Sequence, residues 1–284
     1  MFIIDFSGFT GIDNRAMCKK LPLNGGKMKE IIINGIGCML GQDVISPNRK
    51  TIVFVHGAGG NHRLWNAQVE YLSRKYNAIA INLPGHGLGR ALGETTIEGY
   101  VQAVRDLIEG LGVRRVVLAG TSMGGAITQE FALTYPEKLI AIILFNTGAR
   151  MKVMPQIFDL IKNDFKAFVT MTPAEYTFAK TTPSEIIASY IKEAMKRDPD
   201  VVYGDYQACN AFDRLDRVAE IKLPCLIFSG AEDKLTVPKF QDFLHEKIAG
   251  SRLIRLENAG HALNLEKPEE VNKAIDEFLG SLPE

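Results

Sequence analysis

Tryptophan occurs once and cysteine four times in 284 residues, the cysteines at Cys18, Cys38, Cys209 and Cys225. No two of them form a C-x-x-C pair, which excludes the usual zinc spacing and a dithiol redox motif. Unpaired thiols are the norm in a reducing compartment, so a cytoplasmic protein is expected. Cys225 sits in an apolar run and reads as a small buried hydrophobe. Neither sign of charge is in excess, since 33 Lys and Arg balance 33 Asp and Glu. Without a basic stripe the electrostatic footprint for nucleic acid is missing. No apolar run approaches the roughly 20 residues that span a bilayer. Met1-Phe2-Ile3-Ile4 is interrupted by Asp5 with no basic residues ahead of it, unlike a secretory signal. A G-K-[ST] phosphate loop is lacking. The glycine-rich run from His56 to Gly60 fails as a dinucleotide loop because His62 stands where a third glycine is needed. No metal and no organic cofactor are expected. The expected partner is a small uncharged or mildly polar molecule, with self-association left open.

What is present is alternation. Residues 1–28 hold glycines and prolines without a sustained period and read as an N-terminal extension. From Glu30, two short runs flank Asn34-Gly35, a pair suited to a type I′ hairpin. Short β-branched and apolar runs follow at Thr51–Val55, Ala78–Asn82, Val116–Ala119, Ile140–Phe145, Cys225–Ser229 and Arg252–Leu256, the pattern of strands buried on both faces. Helical stretches fall between them, at Leu64–Tyr76, Thr96–Leu111, Ser122–Tyr135, Pro238–Ile248 and Pro268–Leu279. This predicts an α/β fold, a mostly parallel twisted sheet with helices on both faces. The alternation breaks between about Gly148 and Asp216, where helical period continues without a strand. The expected division is therefore a core over 29–147 and 217–284, interrupted by a helical insertion over 148–216.

Val116–Ala119 runs into Gly120-Thr121-Ser122-Met123-Gly124, and Gly125-Ala126 opens a helix. G-x-S-x-G between strand and helix puts a serine hydroxyl on a sharp turn, facing the positive end of a helix. A serine needs a base. His261 lies after the last strand run and before the final helix, at the sheet edge where a base can reach it. Asp233 follows Ser229 and is placed to fix the histidine tautomer, with Glu232 as its competitor. The glycine-rich turn leaves Ala58 N–H free to act with Met123 N–H on developing negative charge. His56 and His86 read as loop anchors and His245 as a surface residue.

In these motifs the chain resembles the α/β-hydrolase superfamily, in its small capped esterase and hydrolase branch. The matching pieces are His56-Gly57 with Trp65 downstream, Pro84-Gly85-His86-Gly87, Gly120 to Gly125, Gly230 to Asp233 and Gly260-His261. The resemblance implies a catalytic triad of Ser122, Asp233 and His261, an oxyanion hole from Ala58 and Met123, and a cap made by the insertion. Asn82 departs from the aspartate many relatives carry there, a residue that braces a loop. A serine nucleophile sets the chain apart from the aspartate-using dehalogenases and epoxide hydrolases. The expected activity is hydrolysis of short-to-medium acyl esters through an acyl-enzyme. Carbon–carbon bond hydrolase, thioesterase, lactonase, amidase and a slow-turnover ligand-sensing relative stay open. Arg150, just inside the insertion, leaves room for a charged substrate.

Overall fold

The computed structural model describes residues 28–283. The expected extension lies, Met28 apart, outside the described residues, as does Cys18. Eight strands form one sheet: β1 (Lys29–Ile33), β2 (Ile36–Leu40), β3 (Thr51–Val55), β4 (Asn77–Ile81), β5 (Val116–Thr121), β6 (Leu139–Phe145), β7 (Cys225–Gly230) and β8 (Arg252–Leu256), in the order β1-β2-β4-β3-β5-β6-β7-β8. Only β2 runs against its neighbours. The β1–β2 turn has positive φ at both Asn34 (49°) and Gly35 (77°), as a type I′ turn requires.

The period-2 alternation of strand side chains divides the core in two. Val53 and Val55 of β3, with Val116 and Leu118 of β5, face α2 (Ile97–Gly110), α3 (Met123–Thr134) and α8 (Lys239–Lys247). Ile52 and Phe54, with Val117 and Ala119, face α1 (Asn66–Leu72), the short α9 (Leu263–Glu266) and α10 (Pro268–Ser281). On that second face Trp65, fully buried, stacks on Phe54 at 4.8 Å and meets Phe145 edge-on at 5.2 Å, and Phe145 stacks on Phe228 at 4.5 Å. This aromatic column ties β3, β6 and β7 together just below the ends that carry the site.

Helix ends follow local chemistry. Thr96 caps α2 by accepting from Gly99 N–H. The first helix is shorter than the Leu64–Tyr76 expectation: His62–Trp65 forms a tight 3₁₀ turn, and α1 ends at Leu72 because the Lys75 and Tyr76 N–H groups both turn back to its carbonyl. Between β6 and β7 stand α4 (Pro155–Asn163), α5 (Phe165–Thr172), the five-residue wide turn Pro173–Thr177, α6 (Ser184–Ala194) and α7 (Pro199–Ala211). No strand interrupts them. A single β-bridge, Arg150 to Asp213, joins the two ends of the segment.

Candidate active site

The site sits at the carboxyl ends of β3, β5, β6 and β7. β5 delivers Ser122 with φ 53° and ψ −118°, a backbone conformation that costs a non-glycine residue about 1–3 kcal/mol and has to be held from outside. Ser122 N–H donates to the Phe145 carbonyl at 3.0 Å. The Ser122 carbonyl accepts from Gly125 N–H at 2.9 Å and Thr147 Oγ1 at 2.8 Å. The turn is also sterically specified. A Cβ on Gly120 would strike the Gly124 carbonyl, one on Gly124 the carbonyls of Val55 and His56, and one on Gly125 the Thr147 side chain. Glycine at 120 and 124 is thus a packing requirement as well as a turn signal.

His261 and Asp233 meet in the loops after β8 and β7. His261 Nδ1 lies 2.8 Å from Asp233 Oδ2. Since a carboxylate only accepts, Nδ1 carries the proton in this contact, which leaves Nε2 as the lone-pair nitrogen of the neutral tautomer. Asp233 is buried and held by four donors: Leu235 N–H (2.8 Å) and Thr236 N–H (3.0 Å) on Oδ1, Thr236 Oγ1 (2.8 Å) and His261 on Oδ2. Glu232 points elsewhere, accepting from Lys180 N–H at 3.2 Å.

Asn146, at the end of β6, was not singled out from the sequence. Its Nδ2 donates to the carbonyls of Gly260 (2.8 Å) and His261 (2.9 Å), and its Oδ1 accepts from Gly230 N–H (2.8 Å). One buried amide at φ 39° thus pins the Asp233 loop to the His261 loop. A lone Asn after an apolar strand carries no sequence signal of this role. The His261 loop is also tied to the helical segment. His261 N–H donates to the Thr177 carbonyl at 2.7 Å, and Glu266 accepts from Gly260, Ala179 and Thr182.

The turn after β3 carries Gly57 and Ala58 beside Ser122, the Gly57 Cα hydrogen direction facing Ser122 Cβ. Among the described residues neither Ala58 N–H nor Met123 N–H has a protein acceptor. His56 anchors this turn: Nδ1 faces the Gly57 carbonyl at 2.8 Å and Nε2 accepts from Leu83 N–H at 3.1 Å, so the ring is neutral. Burial, then the neighbouring His86, hold its pKa well below the ordinary value. Asn82 does brace a loop, its Oδ1 accepting from His62 N–H (3.1 Å) and facing His62 Nδ1 (2.8 Å).

Ser122, His261 and Ala58 line one cavity of about 960 Å³. Its other walls come from α4–α7, including Ile157, Leu160, Phe168 and Tyr206. Arg150, Lys152, Arg197, Lys234 and Lys239 also line it, against a single carboxylate, Glu175. Arg150 is occupied by Asp213, 2.6 Å away. Arg197 instead lies over the Tyr190 ring at 5.0 Å and has no carboxylate partner among the described residues. Cys209 touches the cavity, but burial raises its pKa well above the thiol range. Among the described residues no group of three or more His, Cys, Asp or Glu is arranged to hold a metal.

Strand order, the positive-φ serine and the loop arrangement point to one fold family, and residues 52–274 match its sequence profile. The chain belongs to the alpha/beta hydrolase family. It is similar to (E)-2-((N-methylformamido)methylene)succinate hydrolase of Acinetobacter baylyi, 27% identical over 244 residues, which cover 82% of this chain and 91% of that protein. 3-Oxoadipate enol-lactonase 2 of the same organism is 28% identical over 239 residues, covering 81% and 88%. Among solved structures, a thermophilic esterase superposes with a TM-score of 0.75 at 29% identity, covering 89% of this chain and 97% of its own. The hydrolases around it make this chain a hydrolase by descent. Among the described residues no helix is long and apolar enough to cross a membrane.

Proposed function

We propose that the chain hydrolyses carboxylic esters through Ser122, with His261 as general base and Asp233 orienting it. The observation that carries this reading is the His261–Asp233 pair facing the same cavity as a serine held at φ 53°. Nδ1 is committed to Asp233, so the Nε2 lone pair is the one available to take the Ser122 proton as Oγ attacks the ester carbonyl. The carbonyl oxygen becomes an oxyanion, taken up by the N–H groups of Ala58, in the turn after β3, and of Met123, at the start of α3. One such donor is worth about 3 kcal/mol in the transition state. The alcohol leaves with the proton from His261. Water, deprotonated by the same nitrogen, then releases the acid and restores the serine. The segment 148–216 serves as a cap: it supplies the apolar wall against which the acyl group lies. A cavity of about 960 Å³ is at the upper end for small-molecule sites. It favours medium acyl groups over acetyl.

A second reading has its own observation. Four of the five cations on the cavity wall have no carboxylate partner among the described residues. That supports a substrate carrying a carboxylate, such as an anionic ester or lactone, and the similar enol-lactonase and succinate-named hydrolase fit that direction. The two readings part in one assay. Hydrolysis rates of matched esters with and without a terminal carboxylate are compared at low and high salt. A carboxylate preference that fades with salt, and drops in Arg197→Gln, supports the anionic substrate; equal rates support the neutral one.

A further inference from the structure

A second buried histidine–carboxylate pair goes unused by this mechanism. Asp205, on α7, is completely buried. Its Oδ2 accepts from Gly59 N–H at 2.6 Å and faces His86 Nε2 at 2.7 Å, while its Oδ1 accepts from the Tyr100 hydroxyl. Three elements of the core therefore converge on one carboxylate of the helical segment. Gly59 directly follows Ala58, the residue whose N–H is assigned to the oxyanion. Its φ is +60°, and a Cβ there would come within 3.1 Å of Val202 and 3.2 Å of Arg197, so glycine lets this loop press against α7.

The charge of the pair follows from its contacts. His86 Nδ1 faces the Pro84 carbonyl at 2.8 Å, and Nε2 faces the carboxylate. Both are acceptors, so both nitrogens carry protons and the ring is an imidazolium. Burial opposes this charge, but Asp205 and the Pro84 carbonyl outweigh it and hold His86 above its ordinary pKa. The compensation matters for catalysis. An unpaired carboxylate next to Gly59 would repel the negative charge that develops one residue away, and the imidazolium cancels it.

We infer that Asp205 is a positioning residue for the oxyanion hole, holding Gly59 N–H so that Ala58 N–H stays aimed into the cavity. The helical segment then completes the catalytic loop as well as covering it. This rests on the acyl-transfer reading of Ser122 and Ala58.

The test uses the full chain, with kinetics on a p-nitrophenyl ester and inhibition by an alkyl trifluoromethyl ketone, whose serine adduct presents an oxyanion to the same hole. Asp205→Asn leaves too few acceptors for three donors. Losing an oxyanion donor outright costs about 100- to 1,000-fold, so displacing one is expected to cost kcat about 10- to 100-fold. KM should stay within about twofold, and ketone affinity should fall in step with kcat. His86→Gln keeps the Gly59 contact but removes the cation; kcat is expected to fall about tenfold, again with KM unmoved. Unchanged kcat and ketone affinity in a folded Asp205→Asn protein overturn the inference. So does a loss in both variants that appears in KM alone. Should Asp205→Asn not fold, His86→Gln decides by the same two readouts. A wild type with neither turnover nor ketone binding instead defeats the acyl-transfer reading, and this inference with it. Turnover in the wild type without loss in the variants defeats this inference alone.

Discussion

At Asn146 a single amide satisfies three backbone groups from two loops. Asn146→Ala leaves them buried without a partner, at about 2–3 kcal/mol. It also frees the Asp233 and His261 loops to shift, so kcat is expected to fall about 10- to 100-fold. Denaturant unfolding and steady-state kinetics read the two effects separately. The buried histidines set opposing pH limits. His56 is held neutral, with its folded pKa depressed, so its contribution is present above about pH 6.5 and is lost as pH falls toward the depressed value. His86 is held charged, with its folded pKa raised. Its contribution is complete below about pH 6.5 and is lost as pH rises through the raised value. Melting temperature between about pH 5 and 9 should therefore peak near 6.5. His56→Gln should flatten the acid side and His86→Gln the alkaline side. If both variants keep the wild-type profile, these charge assignments are wrong.

Among the elements, the column Phe54–Trp65–Phe145–Phe228 fixes the relative positions of β3, β6 and β7, whose ends carry Ala58, Asn146 and Asp233. Trp65→Ala should cost about 3–5 kcal/mol, read from the denaturation midpoint at constant slope. Strands were the most legible elements in the sequence. Thr51–Val55 and Arg252–Leu256 begin and end where their apolar or β-branched runs do, and Asn34-Gly35 turns as its chemistry demands. The helix after β3 was less legible. Leu64–Tyr76 has helical period throughout, but a 3₁₀ start and an early stop at Leu72 depend on hydrogen bonds that periodicity does not encode. The site residues divide the same way. Ser122 announces itself because Gly120 and Gly124 are sterically required around it. Asn146, Glu266 and Asp205 do not, because each ties together loops through at least one partner more than 80 residues away in sequence, which no local pattern describes.

Over the whole molecule, equal numbers of positive and negative residues conceal an uneven distribution. The net charge is zero, yet the cavity wall carries five cations and one carboxylate. The helical segment between β6 and β7 supplies both the apolar wall and Arg197. It contacts the core at the His261 loop through the Thr177 carbonyl, at Glu266 through Ala179 and Thr182, and at the Gly59 loop through Asp205. The helical segment is thus hydrogen-bonded directly to His261 and to Gly59, the residue after Ala58. The alpha/beta hydrolase frame holds these loops at one sheet edge, and the chemistry proposed for them stands or falls on the serine. The most direct test is hydrolysis of p-nitrophenyl esters of increasing acyl length by the wild type and Ser122→Ala, with circular dichroism to establish that both are folded. Turnover that is strongest with medium acyl groups and disappears in Ser122→Ala is the predicted result. Equal turnover by the folded variant would contradict the account.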